Sequence, residues 1–277
     1  MTDKIFILGV GAQKGGTTWL SSQLKKLNVC FPFGKEAHVW NNVEKSNLDK
    51  DNIALLDKKA KKKQKRVLNS IKNPDNYFKV CEKIFLGQGC PIADVTPIYC
   101  SLDRLTLCRI REGLKGIDFS IKVLFIARDP FSRVWSMHRM SVKRRLKQNP
   151  ERVDLILPEV AHKALLKEHL SEANQVRTAY EKILPKLYDV FAAEEIGVFF
   201  YENLFSMNTY QSICEFLCLS PAAPSFYDVR NSSTDIERPP AEIQREIVQG
   251  YRETYEYMRK AFPVVKSLWS ESLRLLD

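Results

Sequence analysis

The chain is 277 residues long, with a formal net charge of +10, 44% hydrophobic residues and 27% charged ones. That length and apolar content suit one large α/β domain, or such a domain with a helical extension, and exclude disorder over most of the chain. The positive balance implies an anionic partner of open class: nucleic acid, an acidic membrane surface or a phosphorylated small molecule.

The first element is an apolar strand over 5–10. It runs into a glycine-rich turn, 11–16, and then a helix over 17–27. Pro32 and Gly34 break the loop that follows. Residues 44–75 are polar and lysine-rich, with Lys58, Lys59, Lys61, Lys62, Lys63, Lys65 and Arg66 forming a dense positive run. A solvated helix face or insertion accounts for such a run, and an anionic-substrate wall is the alternative. Interleaved aromatics and nucleic-acid-binding signatures are missing from it, so nucleic acid is not expected as a partner.

The run Ile121–Ala127 reads as a buried parallel strand, ended by Arg128-Asp129-Pro130, with a helix starting at Pro130. Helical spacing predicts an amphipathic helix over 173–191 despite Pro185, and 196–201 is a further buried strand. Helices are expected over 207–219, over 239–260 and near 264–275. Strands alternating with helices give an α/β fold, a central parallel sheet flanked by helices. In such a sheet ligands sit at the carboxyl ends of the strands, which collects the 11–16 turn, Arg128 and Tyr201 onto one edge.

The seven cysteines have neither the number nor the spacing of a disulfide framework and read as free thiols, mostly buried. Cys/His patterns for zinc are lacking, so no metal is expected. Met1–Lys4 does not open a signal peptide, and no apolar run approaches the ~18 residues of a membrane span. A cytoplasmic setting is the expectation.

The glycine turn carries the first chemistry. Backbone N–H groups of Gly15 and Gly16, a helix N-terminus with Thr17 and Thr18, and Lys14 can converge on an anion. The nucleoside-triphosphatase loop places lysine directly after its second glycine, whereas Lys14 precedes the glycine pair. Trp19 is placed to stack on a base or to pack. Arg128 offers a bidentate clamp for phosphate, with Ser136 eight residues on, although a structural pairing of Arg128 with Asp129 is the plain alternative. Lys35-Glu36-Ala37-His38 is a compact polar cluster from which Glu36 or His38 could act as general base. Trp40, Tyr99, Trp135 and His138 either line an acceptor pocket or belong to the core.

Taken together, these motifs resemble the sulfotransferases that use 3′-phosphoadenosine 5′-phosphosulfate (PAPS). Lys14-Gly15-Gly16-Thr17-Thr18-Trp19 is similar to their 5′-phosphosulfate loop, and Arg128 through Ser136 to their 3′-phosphate motif. Phe200-Tyr201-Glu202 resembles the segment whose tyrosine lies near adenine. Lys35-Glu36-Ala37-His38 looks closest to the glycosaminoglycan-type and bacterial branch, whose glutamate is the base. Arg238, before Pro239-Pro240, weakly resembles a further phosphate contact.

The resemblance implies a P-loop-like three-layer sandwich, a single sulfotransferase domain over 1–277 with the lysine-rich stretch as insertion, and PAPS as donor with PAP as product. It implies catalytic roles for Lys14, Lys35, Glu36 and His38, and cofactor contacts from Lys14, Gly15, Gly16, Thr17, Thr18, Trp19, Arg128, Ser136, Tyr201 and Arg238. The acceptor would be a small molecule or saccharide, acidic in one version, and a homodimer is common in the family. Asp94-Val95-Thr96-Pro97-Ile98-Tyr99 departs from the pattern of the branch, because Val95 stands where a reaction-centre lysine is often found. A P-loop nucleotide kinase and a non-catalytic nucleotide-binding module are the rival classes.

Overall fold

The structure is a computed structural model that describes residues 4–46, 62–226 and 236–277. Strand β1 (Ile5–Gly11) is buried along its whole length, as expected of a strand covered on both faces. It pairs with β2 (Ile92–Val95) on one side and β3 (Ser120–Ala127) on the other; β4 (Ile196–Phe200) extends the sheet beyond β3. All pairings are parallel: Leu8 lies opposite Asp94 and Val123, and Val123 opposite Ile196.

The period of two along each strand sorts side chains into two cores. Phe6, Leu8, Val10, Val123 and Phe125 enter one, while Ile5, Ile7, Leu124 and Ile126 enter the other. In chain order the helices are α1 (Thr17–Lys26), α2 (Val39–Ser46), α3 (Lys62–Lys72), α4 (Asp75–Gln88), α5 (Arg104–Lys115), α6 (Pro130–Gln148) and α7 (Pro158–Glu168). They continue with α8 (Glu172–Thr178), α9 (Tyr180–Val190), α10 (Met207–Phe216), α11 (Ala241–Gly250), α12 (Arg252–Ala261), α13 (Val265–Leu268) and α14 (Ser270–Leu276). Trp19, Leu20 and Leu24 of α1 and Ile213 of α10 fill the second core. Most of the other helices pack on the first, through residues such as Trp40, Tyr77, Leu107, Leu184 and Tyr255. This is the expected three-layer α/β sandwich.

Several elements differ from expectation. β2 has only four residues, and its Asp94 disguises it, since aspartate is depleted in strands. The helix expected over 173–191 breaks at Ala179 (φ −69°, ψ 71°), a turn that leads into Tyr180, whose hydroxyl donates to the Arg128 carbonyl at 2.9 Å. The helix expected over 239–260 breaks at Tyr251 (φ −116°, ψ 25°), whose hydroxyl donates to the His169 carbonyl. The expected closing helix is two short ones, α13 and α14. Of the lysine run, Lys58, Lys59 and Lys61 lie outside the described residues; Lys62 opens α3, and Arg66 donates to the Pro32 carbonyl at 3.1 Å.

The cysteine reading needs one correction. Cys30 and Cys90 form a disulfide across a sequence separation of 60. They meet because Cys30 bridges to the start of β2, where Cys30 N–H donates to Pro91 and Ala93 N–H to Cys30. That contact is tertiary and leaves no mark on local spacing. Cys81, Cys100 and Cys214 are buried free thiols, Cys108 is half-buried and Cys218 exposed. Among the described residues no helix is long and apolar enough to cross a membrane.

Candidate functional site

The carboxyl end of β1 turns sharply. Ala12 N–H donates to the Ile126 carbonyl of β3, and Gly15 N–H returns to the Ala12 carbonyl, both at 2.9 Å. Gly15 lies so close to β3 that a Cβ would meet the Ile126 oxygen at 2.5 Å. Gly16, at φ +85°, adopts a left-handed conformation that glycine reaches without strain, and a Cβ there would meet Leu204 at 2.5 Å. The turn is thus pressed onto the sheet from one side, and α1 starts immediately after it. The first turn of α1 holds no acidic residue and no side-chain cap, so its N–H groups and the positive end of the helix dipole await a partner.

Arg128 follows β3 directly. Its Nη1 donates to the Lys14 carbonyl at 2.9 Å, and its guanidinium lies 4.0 Å from the centre of the Tyr201 ring. Its Nε is buried without a hydrogen-bond partner. Asp129 is not its partner. The Asp129 carboxylate caps α6 by accepting from Ser132 N–H at 2.7 Å, and it also accepts from the Tyr255 hydroxyl at 3.0 Å. Asp129 N–H donates to Glu202 Oε1 at 2.9 Å. The turn bearing Arg128 is therefore held by β4's exit and by α12, leaving the guanidinium to the site.

Lys14 Nζ lies 3.5 Å from Met140 Sδ of α6. Burial holds its ammonium below the usual lysine range, helped by the positive charges of Arg128, Arg139, Lys35 and Arg133. Cations so placed repel one another until an anion arrives. Ser136 is buried one helical turn before Met140, on the same face of α6. Lys35 bridges to α1 by donating to Thr18 Oγ1 at 2.6 Å and pairs with Glu36 at 3.2 Å. The other Glu36 oxygen lies 3.4 Å from His38 Nε2, while His38 Nδ1 faces Asn41 Oδ1 at 3.2 Å. The bond to His38, aided by Lys35 and opposed by burial, holds the Glu36 carboxyl below its usual range. Its bond to Glu36 in turn raises His38.

Lys14, Gly15, Gly16, Thr18, Lys35, Glu36, His38, Arg128 and Tyr201 thus stand around one strand edge. Thr17 is buried at the start of α1. Trp19 is buried beside that edge: its ring stacks on Phe226 and meets Phe205 edge-on at 5.4 Å, Phe205 in turn meets Tyr201, and the Trp19 N–H donates to the Ser225 carbonyl at 2.7 Å. Arg238 lies over the Phe131 ring at the start of α6 and reaches Glu271 and Gln244 at 3.3 Å. Trp40, Tyr99, Trp135 and His138 belong to the buried interior. Sequence reasoning passed over Arg139 and Glu202. Arg139 is three residues beyond Ser136, a helical spacing that could have drawn attention to it; Glu202 is adjacent to Tyr201 but acts through a backbone N–H, which no motif marks. Among the described residues no group of three or more His, Cys, Asp or Glu side chains is placed to hold a metal ion.

No protein-family model matches the chain, and no curated protein does. Solved structures do. A sulfotransferase from Alicyclobacillus acidocaldarius aligns at a TM-score of 0.56 and 16% identity, covering 94% of this chain and 96% of that one. The chain has a sulfotransferase-domain fold. The sulfotransferase domain of the curacin biosynthetic pathway aligns at 0.46 and 19% identity, over 84% of this chain and 79% of that one. The corresponding domain of the Synechococcus PCC 7002 olefin synthase aligns at 0.47 and 17%, over 91% and 94%. At these identities the likeness concerns the fold, and the site must be read from its own residues.

Proposed function

We propose that the chain, as a single domain over 1–277, is a PAPS-dependent sulfotransferase acting on a hydroxyl, less readily an amine, of a small molecule or saccharide. One observation carries the reading: a cation cluster of Lys14, Lys35 and Arg128 surrounds a glycine turn, with the Glu36 carboxylate at its border. The residues fit the donor. The buried Arg128 Nε lacks a partner that a phosphate oxygen would supply.

PAPS, when bound, supplies a sulfuryl group activated by a phosphate leaving group. Lys14, the turn N–H groups and Thr18 would hold the 5′-phosphosulfate; Arg128 and Ser136 would hold the 3′-phosphate, with Tyr201 beside the adenine. His38 and Lys35 hold the Glu36 carboxyl below its usual range, and as the carboxylate it accepts the acceptor hydroxyl's proton. His38 holds the Glu36 carboxylate in place through its bond to it. Lys14 and Lys35 would neutralise negative charge on the donor's phosphate. Val95 in place of a lysine disfavours a heparan-like acceptor. We extend the proposal to a cytoplasmic setting, against which the Cys30–Cys90 bridge counts; in thiol trapping in cells, free Cys30 and Cys90 would support that setting and an intact bridge would overturn it.

A ligand scan by thermal shift with PAP, ADP and ATP, each with and without Mg²⁺, tests the cofactor class. Stabilisation by PAP without Mg²⁺, well above that by ADP, is the expected result. A preference for ATP that requires Mg²⁺ would transfer the assignment to a nucleotide kinase. PAP binding without transfer to any acceptor would leave a nucleotide-binding module.

A further inference from the structure

Asp94 occupies an edge strand, yet it is 1% exposed. Its carboxylate receives three hydroxyl protons: from Thr96 at 2.6 Å, Tyr77 at 2.9 Å and Tyr99 at 3.1 Å. Burying a carboxylate is costly unless such donors surround it. Two of these hydroxyls are already acceptors. Thr96 Oγ1 accepts Ala37 N–H at 2.9 Å, and the Tyr99 hydroxyl accepts Trp40 N–H at 3.3 Å. A hydroxyl has one proton, so each of these passes its own to Asp94. Tyr77 reaches the same loop differently: its ring stacks on Phe33 at 4.8 Å and meets Trp40 edge-on at 5.2 Å. The backbone is therefore braced at 33, 37 and 40, on both sides of Glu36 and His38.

We propose that Asp94 is the positioning residue of the base loop: through Thr96, Tyr99 and Tyr77 it fixes the backbone from which Glu36 and His38 meet each other. The functional part of this inference rests on Glu36 being the base; the geometric part does not. His38 stands at φ +53°, a conformation unfavourable for a residue with a Cβ, so an unbraced loop has reason to relax. Asp94 does not touch the reacting atoms.

The test compares Thr96→Val, which removes the relay hydroxyl, with Thr96→Ser, which keeps it, in the full chain. His38 is titrated by NMR, and kcat, KM and PAP affinity are measured in parallel. The charged groups facing the His38–Glu36 pair are Lys35 from its own loop and Asp94 from β2, with the polar Asn41 from α2, and neither variant alters them. Thr96→Val is expected to return His38 toward its ordinary proton affinity and to lower kcat roughly 10- to 100-fold, with PAP affinity unchanged; Thr96→Ser restores both. A Thr96→Val protein with the wild-type His38 titration overturns the positioning role. If His38 shifts as expected while Glu36→Gln transfers sulfate at the wild-type rate, Asp94 positions the loop and the base assignment fails instead.

Discussion

The two ends of the site are built by different means. At the glycine-turn end, backbone does most of the holding: the 11–16 turn lies against β3, Arg128 donates to the Lys14 carbonyl, and α1 starts on the spot. At the Glu36–His38 end, side chains hold a loop from a distance, with Asp94, Thr96, Tyr77 and Tyr99 reaching across from β2, α4 and the turn after β2. Backbone geometry at a strand–turn–helix junction tolerates few residue types and so leaves a motif. Side-chain bracing needs only compatible partners in space, and its members are scattered along the chain.

Mutations should separate these ends. Glu36→Gln is expected to give the largest effect on rate, about 10²- to 10⁴-fold in kcat, with PAP affinity retained in calorimetry; equal losses in both would make Glu36 a loop-ordering residue. Lys14→Ala should lower transfer about 10²- to 10³-fold and weaken PAP as well, and near-normal turnover would remove Lys14 from the site. Gly15→Ala must push a methyl against the Ile126 carbonyl. A loss of about 1–3 kcal/mol in unfolding free energy, together with PAP binding, is expected. Cys90→Ser breaks a bridge that touches neither end and should cost about 2–4 kcal/mol in denaturant melts with PAP affinity intact.

Two pH effects are smaller. Lys14 starts below the usual lysine range, so PAP binding should take up a proton on the alkaline side. PAP affinity should then fall with rising pH earlier than an ordinary lysine would give, and calorimetry in buffers of different ionisation enthalpy reads this. Glu36 is lowered and His38 raised. The stabilisation from Glu36 is present above its ordinary pKa and lost as pH falls through its lowered one. That from His38 is present below its ordinary pKa and lost as pH rises through its raised one. The pair therefore holds across the interval between, and a bell-shaped kcat profile should widen on both sides relative to unpaired groups.

This contrast also explains what could be read in advance. β1, β3, β4 and the turn are legible because buried parallel strands are continuous apolar runs, and because glycine and Arg-Asp-Pro punctuate their ends. β2 was not, since it is short and centres on Asp94, whose purpose appears only with Thr96, Tyr77 and Tyr99 around it. The Cys30–Cys90 bridge was hidden for the same reason, being a consequence of where Cys30 meets β2. Breaks at Ala179 and Tyr251 turn tyrosine hydroxyls onto distant carbonyls, a tertiary demand that overrides helical periodicity. Trp19 lies in the second core, where its ring meets Phe205, which in turn meets Tyr201.

The most direct measurement follows labelled sulfuryl from PAPS to an acceptor panel with the wild-type chain and Glu36→Gln, with PAP affinity determined on the same preparations. The account predicts transfer by the wild type, and loss of transfer with unaltered PAP affinity in the variant. Equal transfer by both proteins, or none by a wild type that binds PAP, would contradict it.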